Sequence, residues 1–113
     1  MARKKSLEED QLTDTNYYIL LSLTEPIHGY GIMHKVKEIS EGTFDIGPAS
    51  LYTSLKKMLD AGLIVLQINE NKDKKIYGLT EKGKAFLLKD FERRKQIVYH
   101  GKLILEGKNY GKV

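Results

Sequence analysis

Apolar residues recur at helical spacing in four segments of the chain, with short alternating runs between them. The segment "NYYILLSLTE" is strongly apolar, with Tyr17, Leu20, Leu21 and Leu23 at helical spacing. That pattern predicts a helix lying deep in the fold. Thr13 or Asp14 supplies its N-cap, and Pro26 is expected to stop it. In "IHGYGIMHKVKEIS", Ile32, Val36 and Ile39 form one stripe of a second helix. Gly29 and Gly31 lie at its start, where they permit close approach of backbone, and Gly42 ends it. The short run "TFDIG" alternates apolar and polar residues and admits either a strand or an extended linker.

Gly47 and Pro48 open the third helix, "GPASLYTSLKKMLDAGLI". Proline suits the first helical position, where its missing N–H has no partner. Leu51, Leu55, Met58 and Leu59 form the apolar stripe, and Gly62 is the C′ residue. The runs "LIVLQINE" and "KKIYGLT" flank the turn-prone "NKDK" and predict a β-hairpin with a basic tip. Thr80 caps a last helix, the longest periodic segment, and "NYGKV" has no pattern. Three helices, a hairpin and a long helix predict an α+β, mostly α fold: a winged helix-turn-helix with a long C-terminal dimerisation helix. The expected boundaries are a mobile arm over 1–11, the winged helix-turn-helix domain over 12–80, the C-terminal helix over 81–106 and a frayed tail over 107–113.

With 113 residues the chain suits one domain with a modest core, to which a second subunit could add stability. It has no cysteine, which excludes disulfides, thiolate metal sites and cysteine nucleophiles. No apolar run approaches the roughly 20 residues of a membrane span. "MARKKSLEEDQ" lacks the apolar core of a secretory signal. These features lead us to expect a soluble, cytoplasmic protein. The net charge of +4 permits a polyanionic partner, so the placement of the lysines matters more than their number. Arg3, Lys4 and Lys5 in the arm serve either as a solvated tail or as a phosphate contact.

The third helix has the features of an element that enters a DNA major groove, which is about 12 Å wide. Such a helix needs an apolar back for docking and a polar front that reaches phosphates and base edges. Ser50, Tyr52, Thr53, Lys56 and Lys57 stand outside the apolar stripe. Hydroxyls can bond phosphates or bases, and lysines neutralise phosphate. Lys72, Lys74 and Lys75 of the hairpin suit the adjacent minor groove or backbone. Each feature alone is also what any solvated surface shows; their order along the chain makes them support one another.

"EPIHGYGIMHKVKEIS", "GPASLYTSLKKMLDAGLI" and "YGLTEKG" together resemble the PadR-like transcriptional regulators over roughly residues 12–90. The resemblance implies a DNA-binding repressor, a homodimer on an inverted-repeat operator, with the helix from Pro48 as the recognition helix. It adds Tyr30 to the residues expected near DNA. Packing with the hydroxyl outward is the other use of Tyr30, and Tyr52 divides between packing on the wing and meeting phosphate.

In the last helix Phe91, Val98 and Leu105 repeat every heptad, and Leu87, Ile97 and Ile104 widen the stripe. That pattern predicts a partner-helix surface. Gly101 interrupts it as a kink, a close contact or the end of firm structure. Some short members of the family hold flat hydrophobic drugs between aromatic rings at the dimer interface. This sequence has no Trp for indole stacking; Phe91 and Tyr99 are the aromatic candidates left for a small hydrophobic ligand, with ordinary interface packing as the alternative. His28, His34 and His100 are too dispersed for a ligand motif. No phosphate loop or nucleophile elbow occurs, so neither cofactor, metal nor enzymatic activity is expected. The rival to a DNA-binding regulator is a winged module that binds protein.

Overall fold

The computed structural model of the protein describes residues 11–68 and 75–107. Among these residues the order is α1 (Asp14–Ser22), β1 (Ile27–His28), α2 (Gly29–Ile39), α3 (Pro48–Asp60), β2 (Ile64–Ile68), β3 (Lys75–Leu79) and α4 (Glu81–Leu105). The expected winged helix-turn-helix is formed. The expected arm tip, hairpin turn and tail lie outside the described residues.

Local chemistry sets most boundaries. Thr13 caps α1, its hydroxyl accepting the Asn16 N–H at 3.1 Å. The helix ends at Ser22, short of Pro26. Leu23 and Thr24 N–H turn back to the Leu20 and Leu21 carbonyls, while the Ser22 hydroxyl donates to Ile19. Pro26 instead precedes β1, a two-residue strand that the sequence reading did not contain. "TFDIG" is the extended linker, without strand pairing. Gly62 terminates α3 with φ +79°. Its N–H donates to Leu59, and Leu63 N–H donates to Met58, which is a Schellman closure. The same closure ends α2, with Glu41 at φ 56° and Gly42 at φ 84°.

β3 is the central strand of an antiparallel sheet ordered β1-β3-β2. Tyr77 pairs with Leu66 on one side and Ile27 on the other. The core lies between this sheet and the helices. It holds Ile19 and Leu20 of α1, Ile32 and Val36 of α2, and Leu51, Leu55 and Met58 of α3. Ile39 does not complete its stripe: it is the last residue of α2 and is 38% exposed. Leu87, assigned above to the partner surface, is buried in this same core. Its place in the heptad pattern is real, but its own domain covers it.

α4 begins in direct contact with the end of α3. The Thr80 hydroxyl donates to the Gly62 carbonyl at 2.7 Å and accepts the Gly83 N–H at 3.0 Å. Thr80 N–H donates to Leu63 at 3.1 Å. Gly83 then passes so close that a Cβ there would overlap the Leu63 carbonyl. With 25 residues, α4 is about 37 Å long at 1.5 Å per residue. It extends well beyond the domain, giving the chain dimensions of 61 × 35 × 24 Å.

The second attachment of α4 is ionic. Asp90 is completely buried and accepts Arg93 Nε at 2.9 Å, Arg94 Nε at 2.6 Å and Leu12 N–H at 3.3 Å. Burial alone pushes its carboxyl upward, but the hydrogen bonds from Arg94, Arg93 and Leu12 outweigh it. They hold the group below its ordinary value of 3.8.

Two outcomes follow. Gly83→Ala should destabilise the fold by about 3 kcal/mol, the upper range for overpacking, read as a fall in the urea midpoint, because the Leu63 backbone cannot yield. The depressed Asp90 carboxyl contributes its stability fully above 3.8. Below that value the unfolded chain takes up the proton first, so the contribution is lost as pH falls toward the lower folded value. Urea midpoints measured across this acid range should therefore fall more steeply for the native sequence than for Asp90→Asn.

Candidate nucleic-acid interface

α3 sorts its side chains by helical angle. Leu51, Leu55 and Met58 face the core and Leu59 is half-buried. At about 100° per residue, Thr53, Lys56 and Lys57 project from the opposite side. Ser50 joins them from the first turn, and all four are exposed. Asp60 shares this face and pairs with Lys56 at 3.6 Å. Both groups are open to water, and such pairs are worth under about 1 kcal/mol, so Lys56 can exchange Asp60 for a phosphate at little cost. Gly47 is the N-cap and gives no side-chain cap, which leaves the first N–H groups of α3 open to an anion.

Tyr52 lies on the flank of the helix, 48% exposed. Its ring crosses the start of α2: a Cβ built on Gly29 would stand 2.5 Å from the Tyr52 hydroxyl oxygen. Gly29 thus makes room for a side chain, where close approach of another backbone was expected. Burial pushes the hydroxyl of Tyr77 on the central strand above its ordinary 10.0, and the electrostatic effect of Tyr52 adds to the shift. The Tyr52 ring links α3 to the N-terminus of α2.

Tyr30 follows the notch directly and is 63% exposed. Its ring packs edge-on against His34 at 4.8 Å, a contact that its i, i+4 spacing permits but that sequence reasoning did not draw. Lys75 is exposed at the outer end of β3, opposite Ile68. Lys72 and Lys74 lie outside the described residues. The structure thus places Ser50, Tyr52, Thr53, Lys56 and Lys57 on one helix, joins Tyr52 to the Gly29–Tyr30 start of α2, and sets Lys75 at the strand end.

Chemically this face offers hydroxyl donors, ammonium groups and free backbone N–H groups, all suited to phosphates and base edges. No group of three or more His, Asp or Glu residues able to hold a metal occurs among the described residues. No helix among them is long and apolar enough to cross a membrane.

On α4, the predicted partner surface is open. Phe91, Val98 and Leu105 are exposed, Val98 at 67%, as are Ile97 and Ile104 beside them. Gly101 sits within this stripe with open space where a Cβ would stand, and α4 runs on past it to Leu105. Phe91 and Tyr99 are eight residues apart, or about 12 Å along the helix axis, so they do not meet within one chain.

A family model described as the transcriptional regulator PadR-like family matches residues 18–89. Among solved structures, Bacillus subtilis PadR in complex with operator DNA is 32% identical, with a TM-score of 0.59. The match covers 67% of this chain and 45% of that one, so the chain spans less than half of that protein's length. A PadR-like transcription factor from Bacteroides fragilis is 25% identical over 85% of this chain and 95% of that one, with a TM-score of 0.62. The winged-helix DNA-binding protein F93 from STIV shares the fold at 22% identity, covering 80% of this chain and 98% of that one, with a TM-score of 0.65. Comparison with curated proteins gave no match.

The Gly29 notch can be tested directly. Gly29→Ala should cost about 1–3 kcal/mol in a urea titration. Removing the obstructing ring in a Gly29→Ala, Tyr52→Ala pair should recover part of that loss. Strict additivity in the double-mutant cycle would mean that the two residues are not in contact.

Proposed function

The chain belongs to the PadR-like family of transcriptional regulators, and from that premise we propose that it is a repressor which binds an inverted-repeat operator as a homodimer. That it is a DNA-binding regulator rests on the family and on the likeness to PadR bound to operator DNA. The observation that carries the finer reading is the division of labour between two surfaces. One is the hydroxyl and lysine face of α3, and the other is the bare apolar stripe on the outer half of α4.

In this reading α3 enters the major groove with Ser50 and Thr53 toward base edges. Lys56 and Lys57 hold phosphates, Tyr30 and Tyr52 hold the backbone from the α2 side, and the hairpin lysines meet the flanking duplex. Two chains joined along α4 present two such faces related by twofold symmetry, which matches paired half-sites about 34–36 Å apart. Repression then needs only occupancy of a promoter. An effector of small, flat, hydrophobic shape would lie between Phe91 and Tyr99 of facing chains, since one chain alone does not bring those rings together.

Affinity for duplex DNA should fall steeply with salt, and Lys56→Ala should lower the slope of log K against log salt by about one per protomer. A flat salt dependence would sink the DNA reading in favour of a protein-binding module. Val98→Asp should turn the dimer into a monomer by light scattering, and an unchanged dimer would remove the outer stripe from the interface.

A further inference from the structure

The outer half of α4 carries the proposed dimer contact, whereas α3 carries the proposed DNA contact. Something must fix the angle between them. The joint at Thr80 and Gly83 anchors the first turn of α4, and Leu87 packs into the core. Beyond Leu87 the last firm attachment among the described residues is the Asp90–Arg94 pair. Arg94 donates from Nε to Asp90 at 2.6 Å, from one terminal nitrogen to Asp14 at 2.8 Å and from the other to the Leu12 carbonyl at 2.9 Å. Its guanidinium also covers the Tyr17 ring at 4.2 Å. After Arg94 the apolar residues Ile97, Val98, Tyr99, Leu103, Ile104 and Leu105 are all more than half exposed.

We propose that Asp90 and Arg94 are positioning residues for operator recognition: they fix the angle at which the outer half of α4 leaves the winged domain, and so the separation of the two α3 helices in the dimer. An apolar contact can slide or rotate with little loss. A planar fork that must satisfy Asp90, Asp14 and the Leu12 carbonyl together cannot. The lever is sensitive: with an arm of about 20 Å, a swing of about 10° displaces α3 by about 3.5 Å, one base-pair step. The inference rests on the dimer reading above.

The chain has no cysteine, so Thr53→Cys puts a single spin label on each α3. Double electron–electron resonance on the full-length dimer then reads the distance between the two helices without any operator in hand. In the otherwise native sequence the distribution should be narrow. Arg94→Lys keeps the charge but loses the fork, and should broaden the distribution at least twofold while light scattering still reports a dimer. Asp14→Ala removes only the exposed prong and should broaden it less. If Arg94→Lys does not fold, the Asp14→Ala dimer decides. A foldable variant with an unchanged width would reduce the pair to a stabilising contact and overturn the proposal. An otherwise native chain that scatters as a monomer would overturn the dimer reading and this proposal together.

Discussion

Backbone meets backbone where α3 ends and α4 begins, and the arrangement of both surfaces depends on that contact. Gly62 and Leu63 close the Schellman turn at the end of α3. Their carbonyls then accept from the cap of the next helix along the chain: Gly62 accepts the Thr80 hydroxyl, and Leu63 accepts the Thr80 N–H. Gly83 packs flat on the same Leu63 carbonyl, and Lys82 donates to Ala61 at 2.9 Å. The two helices are thus fixed to each other at a point where Gly83 and Leu63 meet backbone to backbone, with no side-chain rotamer to relax, and where the Thr80 and Lys82 side chains add bonds to the end of α3. β2 and β3, which lie between them in sequence, form the hairpin that returns the chain to this point.

Charge in this protein does two separate things. At Asp90 it is cohesive: a buried carboxylate is held by two guanidinium groups and a backbone N–H. Breaking such a pair by removing one partner typically costs 3–5 kcal/mol, because the other charge is left buried and alone. On α3 charge contributes almost nothing to folding. Lys56 and Lys57 are exposed, and the Lys56–Asp60 pair is of the weak surface kind. Groups that the fold does not use remain available for an external partner. Tyr52 belongs to both classes, since its ring is fixed on Gly29 while almost half of its surface stays open.

Elements governed by local chemistry were legible from sequence. Pro48 at the start of α3, Gly62 at its end and Thr80 at the cap of α4 act within a few residues of themselves, so neighbouring residues suffice to find them. The polar face of α3 was legible for the same reason, as helical angle alone separates Thr53 and Lys56 from Leu51 and Leu55. Features that depend on distant chain were not. β1 is two residues long and exists only because Ile27 and His28 pair with Tyr77 and Ile76. Asp90 reads as one more charge on a charged helix; its burial depends on Leu12, 78 residues away. Tyr52 on Gly29 is likewise a meeting of two helices that no local pattern records.

The misplacement of Leu87 follows from the geometry of α4 itself. At about 100° per residue, Gly83, Leu87, Asp90 and Arg94 lie on the same side of the helix as Phe91, Val98, Gly101 and Leu105. A heptad repeat finds this face and cannot tell where its cover changes. The winged domain covers it at Gly83, Leu87 and Asp90 and is still reached by Arg94, while Phe91 is already 42% exposed; beyond Arg94 nothing in the same chain covers the face among the described residues. The exposed stripe is therefore the continuation of the internal packing face. Gly101 lies at its centre, where a glycine costs about 1 kcal/mol of helix stability relative to alanine. Its lack of a side chain lets another helix approach the backbone closely. A second chain seated on that stretch would begin where the first chain's own packing ends, one turn beyond the bond from Arg94 back to Asp14 of α1.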